Sequence, residues 1–206
     1  MILAADAALA DWGYEPAAEV WITRSRSDSA GRRARISAIE SLEVAGFKQA
    51  ADRLLEIATD QRTPAPTRLA AARATAGLRR EGLETVAGQL EGATIDQLVG
   101  VTLLRHHQSK AAQTRFMTLI SDQDPTVVAV ALRALLDIDP LLISPATENL
   151  VEHSDVHVRH LAAEGLLSEG NAKAVSLLGP LLNDPPPTLR RFVRDGLIQL
   201  GKQKGN

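Results

Sequence analysis

Three consecutive segments of the chain repeat one pattern of apolar and polar positions at a spacing of 31 residues. They begin at Leu119, Leu150 and Leu181 and align with one another without gaps. Within each segment, apolar residues recur at positions i, i+4, i+7 and i+8, which places them on one face of an α-helix. In the first segment this face consists of Val127, Ala131, Ala134, Leu135 and Ile138.

The repeated helices carry clear starting signals and one position that holds only small side chains. Asp124 followed by Pro125 predicts an N-cap and a first helical residue, Ser154 or Asp155 can cap the next helix, and Thr94 is the expected cap of the helix within 94–107. The small residues predict close contact between neighbouring helices, and they are Ala134, Gly165 and Gly196.

Weaker copies of the pattern continue upstream, so helices of a first and a second kind alternate along the chain. The second helices fall within 29–45, 64–80, 94–107, 125–138, 155–169 and 186–200. The first helices lie near 15–24, 47–59, 82–91, 109–121, 144–153 and 171–183. No segment has the alternating pattern of a β-strand. We therefore predict an all-α fold, a right-handed α-solenoid of about six antiparallel helix pairs.

The domain organisation follows from the same pattern. An additional helix over residues 2–11 predicts an N-terminal cap within 1–14. The repeat domain is expected over 15–201, and residues 202–206 are expected to form a flexible tail.

The run from Asp124 to Leu135, of the form Asp-Pro-x-Val-x-x-x-Ala-x-x-Ala-Leu, resembles the HEAT repeat family. Residues 158–166 are similar to the short HEAT-like repeats of the phycobilin-lyase type, and the short period agrees with that type because longer HEAT units span ~40–47 residues. The resemblance implies stacked helix pairs whose second helices line a concave binding surface. It also implies a turn Asp six residues before an Arg, a spacing that Asp184 and Arg190 keep.

The composition of the chain excludes several classes of function but does not identify one. The net charge is −2 and aromatic residues make up 3% of the chain, so a nucleic-acid-binding groove is not expected. The chain has no Cys, which excludes disulfides and thiolate metal sites.

The apolar runs are too short to cross a membrane. With no basic leader pattern at Met1, a complete chain is expected to be cytoplasmic; for a fragment of a larger protein the location stays open.

The sequence offers no convincing catalytic or metal-binding set. His153, His157 and His160 have a spacing that suits zinc, but His153 precedes the expected helix cap and lies in a turn, so no metal site is predicted. His106 and His107 fall at the end of a predicted helix, where a His pair is interpreted as a surface feature. No His-Glu dipeptide occurs, so the di-iron ligands of HEAT-like hydroxylases are missing. Phosphate-loop and nucleophile motifs are also missing, and we predict neither a cofactor nor enzymatic activity.

The second helices carry more basic than acidic residues, which indicates a binding face. We predict a non-catalytic scaffold or adaptor that binds an acidic, partly apolar protein or peptide. The candidate partner-binding residues are Arg73, Arg133, His160, Arg191 and Arg194.

Three alternatives to this binding face stay open. One is a lyase or isomerase of the phycobilin-lyase class, as the resemblance implies; another, less favoured, is a nucleic-acid-binding HEAT-like protein. The third is a partner site at Trp12, Tyr14 and Trp21, although capping of the array is the favoured role for these aromatic residues. The sequence leaves the oligomeric state open.

Overall fold

The computed structural model describes residues 2–27 and 29–204, and these residues form helices and connecting turns without a β-strand. Helices of the two kinds alternate as the sequence predicts, after one extra helix at the start. The α-helices are α1 Ile2–Asp11, α2 Ala18–Arg26, α3 Arg32–Val44, α4 Ala51–Thr59, α5 Ala65–Leu78, α6 Glu84–Gln89, α7 Thr94–Leu103, α8 Lys110–Leu119, α9 Pro125–Ile138, α10 Thr147–Val151, α11 Val156–Glu169, α12 Ala172–Leu178 and α13 Pro187–Lys204. The predicted all-α fold of the α-solenoid class is confirmed, with six helix pairs that follow the helix α1.

Short 3₁₀ segments flank several of the first helices. They are Glu15–Ala17, Lys48–Ala50, Pro140–Ala146 and Pro180–Asn183. Three of these begin with or contain a proline near their start, where the missing N–H is tolerated. The first helices are therefore shorter and more broken than the second helices.

The predicted helix starts agree with the structure in two cases and differ in one. Asp124 caps α9 by accepting a hydrogen bond from the Thr126 N–H at 2.8 Å. Asp155, and not Ser154, caps α11, because its carboxylate accepts from the N–H groups of the first turn. Thr94, which the sequence suggests as a cap, is instead the first residue of α7.

The contacts divide the chain into two compact units, and each has its own core. Unit 1 falls within Met1–Ala112 and unit 2 within Gln113–Asn206. The predicted single repeat domain over 15–201 stays a prediction. Part of the tail predicted at 202–206 is helical, because α13 continues to Lys204; Gly205 and Asn206 lie outside the described residues.

Unit 1 packs α2 on α3, α3 on α5 and α5 on α7, while α1 covers α3. Its largest fully buried side chains are Trp21, Ile39, Leu42, Leu54, Leu83, Leu103 and Leu104. In unit 2, α9 packs on α11 and α11 packs on α13. Its largest fully buried side chains are Phe116, Leu132, Leu135, Ile143 and Leu161.

Two of the three small residues of the repeat, Gly165 and Gly196, lie at close contacts with neighbouring segments, as predicted. A Cβ atom on Gly165 would come within 3.0 Å of Ile143 and within 3.1 Å of Leu136 Cδ2. A Cβ atom on Gly196 would come equally close to Leu167. Glycine at these positions lets a large apolar side chain of the preceding helix lie against the backbone.

No helix within residues 2–27 and 29–204 is long and apolar enough to cross a membrane.

Candidate functional site: the second-helix face

Four of the five candidate residues lie on consecutive second helices of unit 2. Arg133 is on α9, His160 on α11, and Arg191 and Arg194 are on α13. Arg73 lies on α5 in unit 1. The repeat register therefore brings four of the five predicted residues onto neighbouring second helices of unit 2.

Arg133 is bound within the protein by the next helix. Its two terminal nitrogens each donate to a carboxylate oxygen of Glu164 at 2.7 Å, a paired geometry that gives strong, directional bonds. The hydrogen bonds to Arg133 lower the pKa of Glu164, and those to Glu164 raise the pKa of Arg133. This ion pair therefore connects α9 to α11. Because Glu164 neutralises the Arg133 guanidinium, Arg133 offers a partner less positive charge than the sequence predicts.

His160 stacks against an aromatic ring that the sequence reading did not include in the site. The rings of His160 and Phe192 have centroids 4.1 Å apart and an interplanar angle of 29°. Burial lowers the pKa of His160, and the neighbouring Glu164 carboxylate opposes that shift only partly. At neutral pH the pair therefore offers a flat, uncharged platform, half-buried across α11 and α13.

Arg191 and Arg194 differ in how much charge they leave available. The exposed Arg191 side chain forms no ion pair or hydrogen bond with the described residues. Arg194 pairs with the adjacent Asp195 at 3.0 Å in a largely solvated arrangement. Arg191 is thus the basic group of unit 2 that is most available to a partner on this face.

Arg73 makes the same kind of contact between repeats in unit 1. It donates to Glu40 at 2.9 Å and lies 3.5 Å from Glu43, both on α3. Glu40 and Arg73 occupy the register position that Arg133 and Glu164 occupy in unit 2. The predicted binding residues Arg73 and Arg133 therefore form ion pairs with the neighbouring repeat of their own unit.

The aromatic residues near the start of the chain have separate roles. Trp21 is fully buried, where its indole N–H donates to Asp6 at 2.9 Å, and it packs near Phe47. Trp12 and Tyr14 are 79% and 51% exposed. A partner site that includes Trp21 is therefore wrong, because that ring belongs to the core.

His153 lies in the turn before α11, as predicted, whereas His107 is buried. His153 Nδ1 accepts a hydrogen bond from the Asp155 N–H at 3.0 Å, the role that Asp122 has in the preceding turn. His107, interpreted from the sequence as a surface residue, is 3% exposed. Among the described residues, no group of three or more His, Asp or Glu side chains is arranged to hold a metal ion.

A polar network in unit 1 joins residues that the repeat register does not align. Ser109 Oγ donates to Glu84 Oε1 at 2.9 Å, and His107 Nδ1 lies 3.1 Å from the same oxygen. The bond to His107 first, then one from the Glu84 backbone N–H and the one from Ser109 lower the pKa of Glu84 to about 2. The Ser hydroxyl contacts the carboxylate and not the imidazole, so the order differs from that of an activated nucleophile.

Comparison with protein families agrees with the repeat geometry. Residues 114–198 match the family model of HEAT repeats, and this segment belongs to that family. The likeness to the phycobilin-lyase type stays a prediction. No curated protein gives a significant match to the chain. HEAT repeats commonly act as scaffolds for protein interactions.

Proposed function

We propose that this chain, with HEAT repeats over residues 114–198, is a non-catalytic scaffold that binds an acidic, partly apolar segment of another protein. The surface that we assign to this function is the platform of His160 and Phe192 together with Arg191. We call these three residues the platform surface. Of the five predicted residues the proposal keeps His160 and Arg191, since Arg73, Arg133 and Arg194 are held in ion pairs within the protein.

The observation that carries the proposal is the aromatic stack beside a basic residue without a partner in the described part of the chain. A flat pair of rings 4.1 Å apart gives an apolar contact area at little entropic cost, because both side chains are already ordered. The planar guanidinium of Arg191 has paired N–H donors whose geometry matches the two oxygens of a carboxylate. The combination favours a ligand with an acidic residue next to an apolar one.

The ion pair of Arg133 with Glu164 limits the positive charge beside the platform surface. Arg133 and Glu164 neutralise one another, so the platform surface carries the positive charge of Arg191 without a broad basic field. A phosphate backbone is bound by many basic groups acting together, whereas a peptide carboxylate needs one well-placed guanidinium. We therefore favour a protein ligand over a nucleic acid.

The test is selection of phage-displayed peptides on the full chain, followed by affinity measurement of the enriched peptides by fluorescence anisotropy. Enriched peptides are expected to combine Asp or Glu with apolar residues. Arg191→Glu is expected to weaken their binding by about tenfold or more, equivalent to ~1.4 kcal/mol. Phe192→Ala is expected to weaken binding as well, since the stack is lost.

Two control variants separate recognition from folding. Arg105→Glu makes the same charge change at an exposed residue of unit 1 and should leave binding unchanged. The exchange of Arg133→Glu with Glu164→Arg keeps an ion pair between α9 and α11 and should retain binding. Enriched peptides that bind Arg191→Glu as tightly as the wild type would place recognition elsewhere, with exposed Trp12 and Tyr14 as the next surface to test.

A further inference from the structure

The contact between neighbouring repeats in unit 2 depends on one arginine that contacts two turns. Arg159 donates through Nε and Nη2 to the two carboxylate oxygens of Asp184, each at 2.8 Å. Its Nη1 donates to the backbone oxygens of His153 and Ser154 at 2.7 and 2.9 Å. One guanidinium thus binds its own turn through carbonyl groups and the following turn through a carboxylate.

The second part of this contact is apolar. Leu136 lies against Gly165 of the following helix, and Leu167 lies against Gly196 in the same way. Arg159, Ala163 and Leu167 are spaced i, i+4 and i+8 on α11 and form one stripe. At the contact between α11 and α13, the α11 repeat therefore offers an arginine and a large apolar side chain, and the next repeat supplies the turn carboxylate of Asp184 and the small residue Gly196.

Helix α13 carries an arginine and a large apolar side chain at the same two positions, which we call the offering half of the contact. No repeat follows α13 among the described residues to supply the receiving half, a turn carboxylate and a small residue. Arg190 Nη1 donates to the backbone oxygens of Asp184 and Pro185 at 2.6 and 2.7 Å, as Arg159 does in its own turn. Its other donors form no hydrogen bond or ion pair with the described residues. Ile198, at the position of Leu136 and Leu167, is 49% exposed, whereas Leu136 is 7% exposed. Arg190, Arg194 and Ile198 form what we term the outer stripe.

The segment of α1 and α2 has the features that the receiving half requires. Asp11, Glu15 and Glu19 are exposed and form no ion pair within the described residues, and the first two flank the turn after α1. Ala4 and Ala8 are exposed small residues on the same stripe of α1 as Asp11. Trp12 and Tyr14 add exposed apolar surface in the connecting turn.

The two segments are also opposite in charge. Residues 2–26 contain four carboxylates and two Arg, and both Arg are held in ion pairs, Arg24 with the buried Asp6 and Arg26 with Glu56. Helix α13 contains five basic residues and one Asp. Opposite fields of this kind steer two surfaces together and fix their register.

We propose that copies of this chain associate head to tail, with the outer stripe of one copy contacting the α1–α2 segment of a second copy. Arg190 would pair with Asp11 or Glu15 of the second copy, and Ile198 would pack on its α1 alanines. Such a contact joins two different surfaces, so it produces rings or open chains of copies. The surface is distinct from the platform surface, so its failure leaves the proposed function untouched.

Sedimentation velocity of the full chain tests the proposal, with the ionic strength raised from about 0.01 M to about 1 M. At low salt the average mass is expected to rise with protein concentration above the 22.1 kDa of one chain. At high salt, association is expected to weaken by about tenfold or more, because the charges are screened. A mass of one chain at low salt, up to millimolar protein, would overturn the proposal.

Charge exchange identifies the surfaces. Arg190→Glu with Arg194→Glu makes the outer stripe acidic, and Asp11→Lys with Glu15→Lys makes the α1–α2 segment basic. Each double variant alone should remain monomeric, and a mixture of the two should associate again. Arg105→Glu should associate as the wild type does. Association of either double variant alone, or a mixture that stays monomeric with both variants folded, contradicts the assignment.

Ile198→Asp is a further variant that leaves the bonds of Arg190 to its own turn intact. It should reduce association without lowering the melting temperature, because Ile198 is half exposed in the single chain. Unchanged association of Ile198→Asp would exclude the outer stripe.

Discussion

At the scale of single residues, the network around Glu84 gives the clearest link between geometry and a measurable property. Hydrogen bonds to His107 and Ser109 lower the pKa of Glu84 from 4.5 to about 2. The folded protein therefore holds this carboxylate ionised under conditions in which the unfolded chain takes up a proton. The resulting stabilisation is complete above the unfolded pKa and is lost as the pH falls towards 2.

Glu84→Gln is expected to lower the melting temperature at pH 7, because it removes the charged acceptor of both bonds. The difference from the wild type should shrink as the pH falls from about 5 to about 2, where the wild-type carboxylate itself becomes protonated. Circular dichroism melting curves across this pH range provide the measurement. Glu81→Gln is the matched control, since the exposed Glu81 side chain has no bond among the described residues. Parallel curves for Glu84→Gln and the wild type would contradict the assigned role.

The candidate site also shows where residue-level reasoning reaches its limit. The sequence register aligns Arg133 with Glu164, yet it does not reveal that the two side chains bond to each other. Phe192 has no polar or catalytic signature, so its stacking on His160 becomes visible only when α11 and α13 are placed side by side. The pairing of Glu84 with His107 joins residues outside the repeat register, and no periodicity predicts it.

At the scale of helices, the second helix of each pair could be predicted within four residues at either end. In four of the six pairs its start is marked by Asp or Pro, and its apolar residues follow the helical period. The first helices are harder to predict because 3₁₀ segments interrupt them at prolines such as Pro140 and Pro180.

Gly165→Leu tests whether close helix contact holds the repeats together. The new side chain would overlap Ile143 and Leu136, so we expect a loss of about 1–3 kcal/mol in the free energy of unfolding. Urea denaturation followed by circular dichroism measures this loss.

Gly88→Leu is the matched control for this substitution. Gly88 lies within α6, and a Cβ atom there has nothing within 4 Å. Because glycine is a poor helix residue, Gly88→Leu should be neutral or should stabilise by about 0.5–1 kcal/mol. An equal effect of the two substitutions would show that backbone propensity, and not packing, sets the stability at Gly165.

At the scale of the whole molecule, the division into two compact units has a thermodynamic consequence. Unit 2 contains Phe116, Leu132 and Leu161 as fully buried residues, and the Arg159–Asp184 pair and both close-contact glycines lie within it. In arrays of repeats, stability is approximately a sum of terms from each repeat and from its nearest neighbours. The interactions that we describe for unit 2 are of this local kind.

We therefore expect residues 108–206 to fold without the rest of the chain. This fragment keeps Ser109, whose hydroxyl accepts a hydrogen bond from the Ala112 N–H at the start of α8. Its circular dichroism spectrum should be helical, and its urea transition should be cooperative. Gly165→Leu should cost the fragment the same free energy as it costs the full chain, within the ~0.5 kcal/mol typical of independent sites, because its contacts lie in α9–α11 and the segment that joins them. A fragment that is unfolded, or a cost that differs by more than this, would mean that the stability of unit 2 depends on residues outside it.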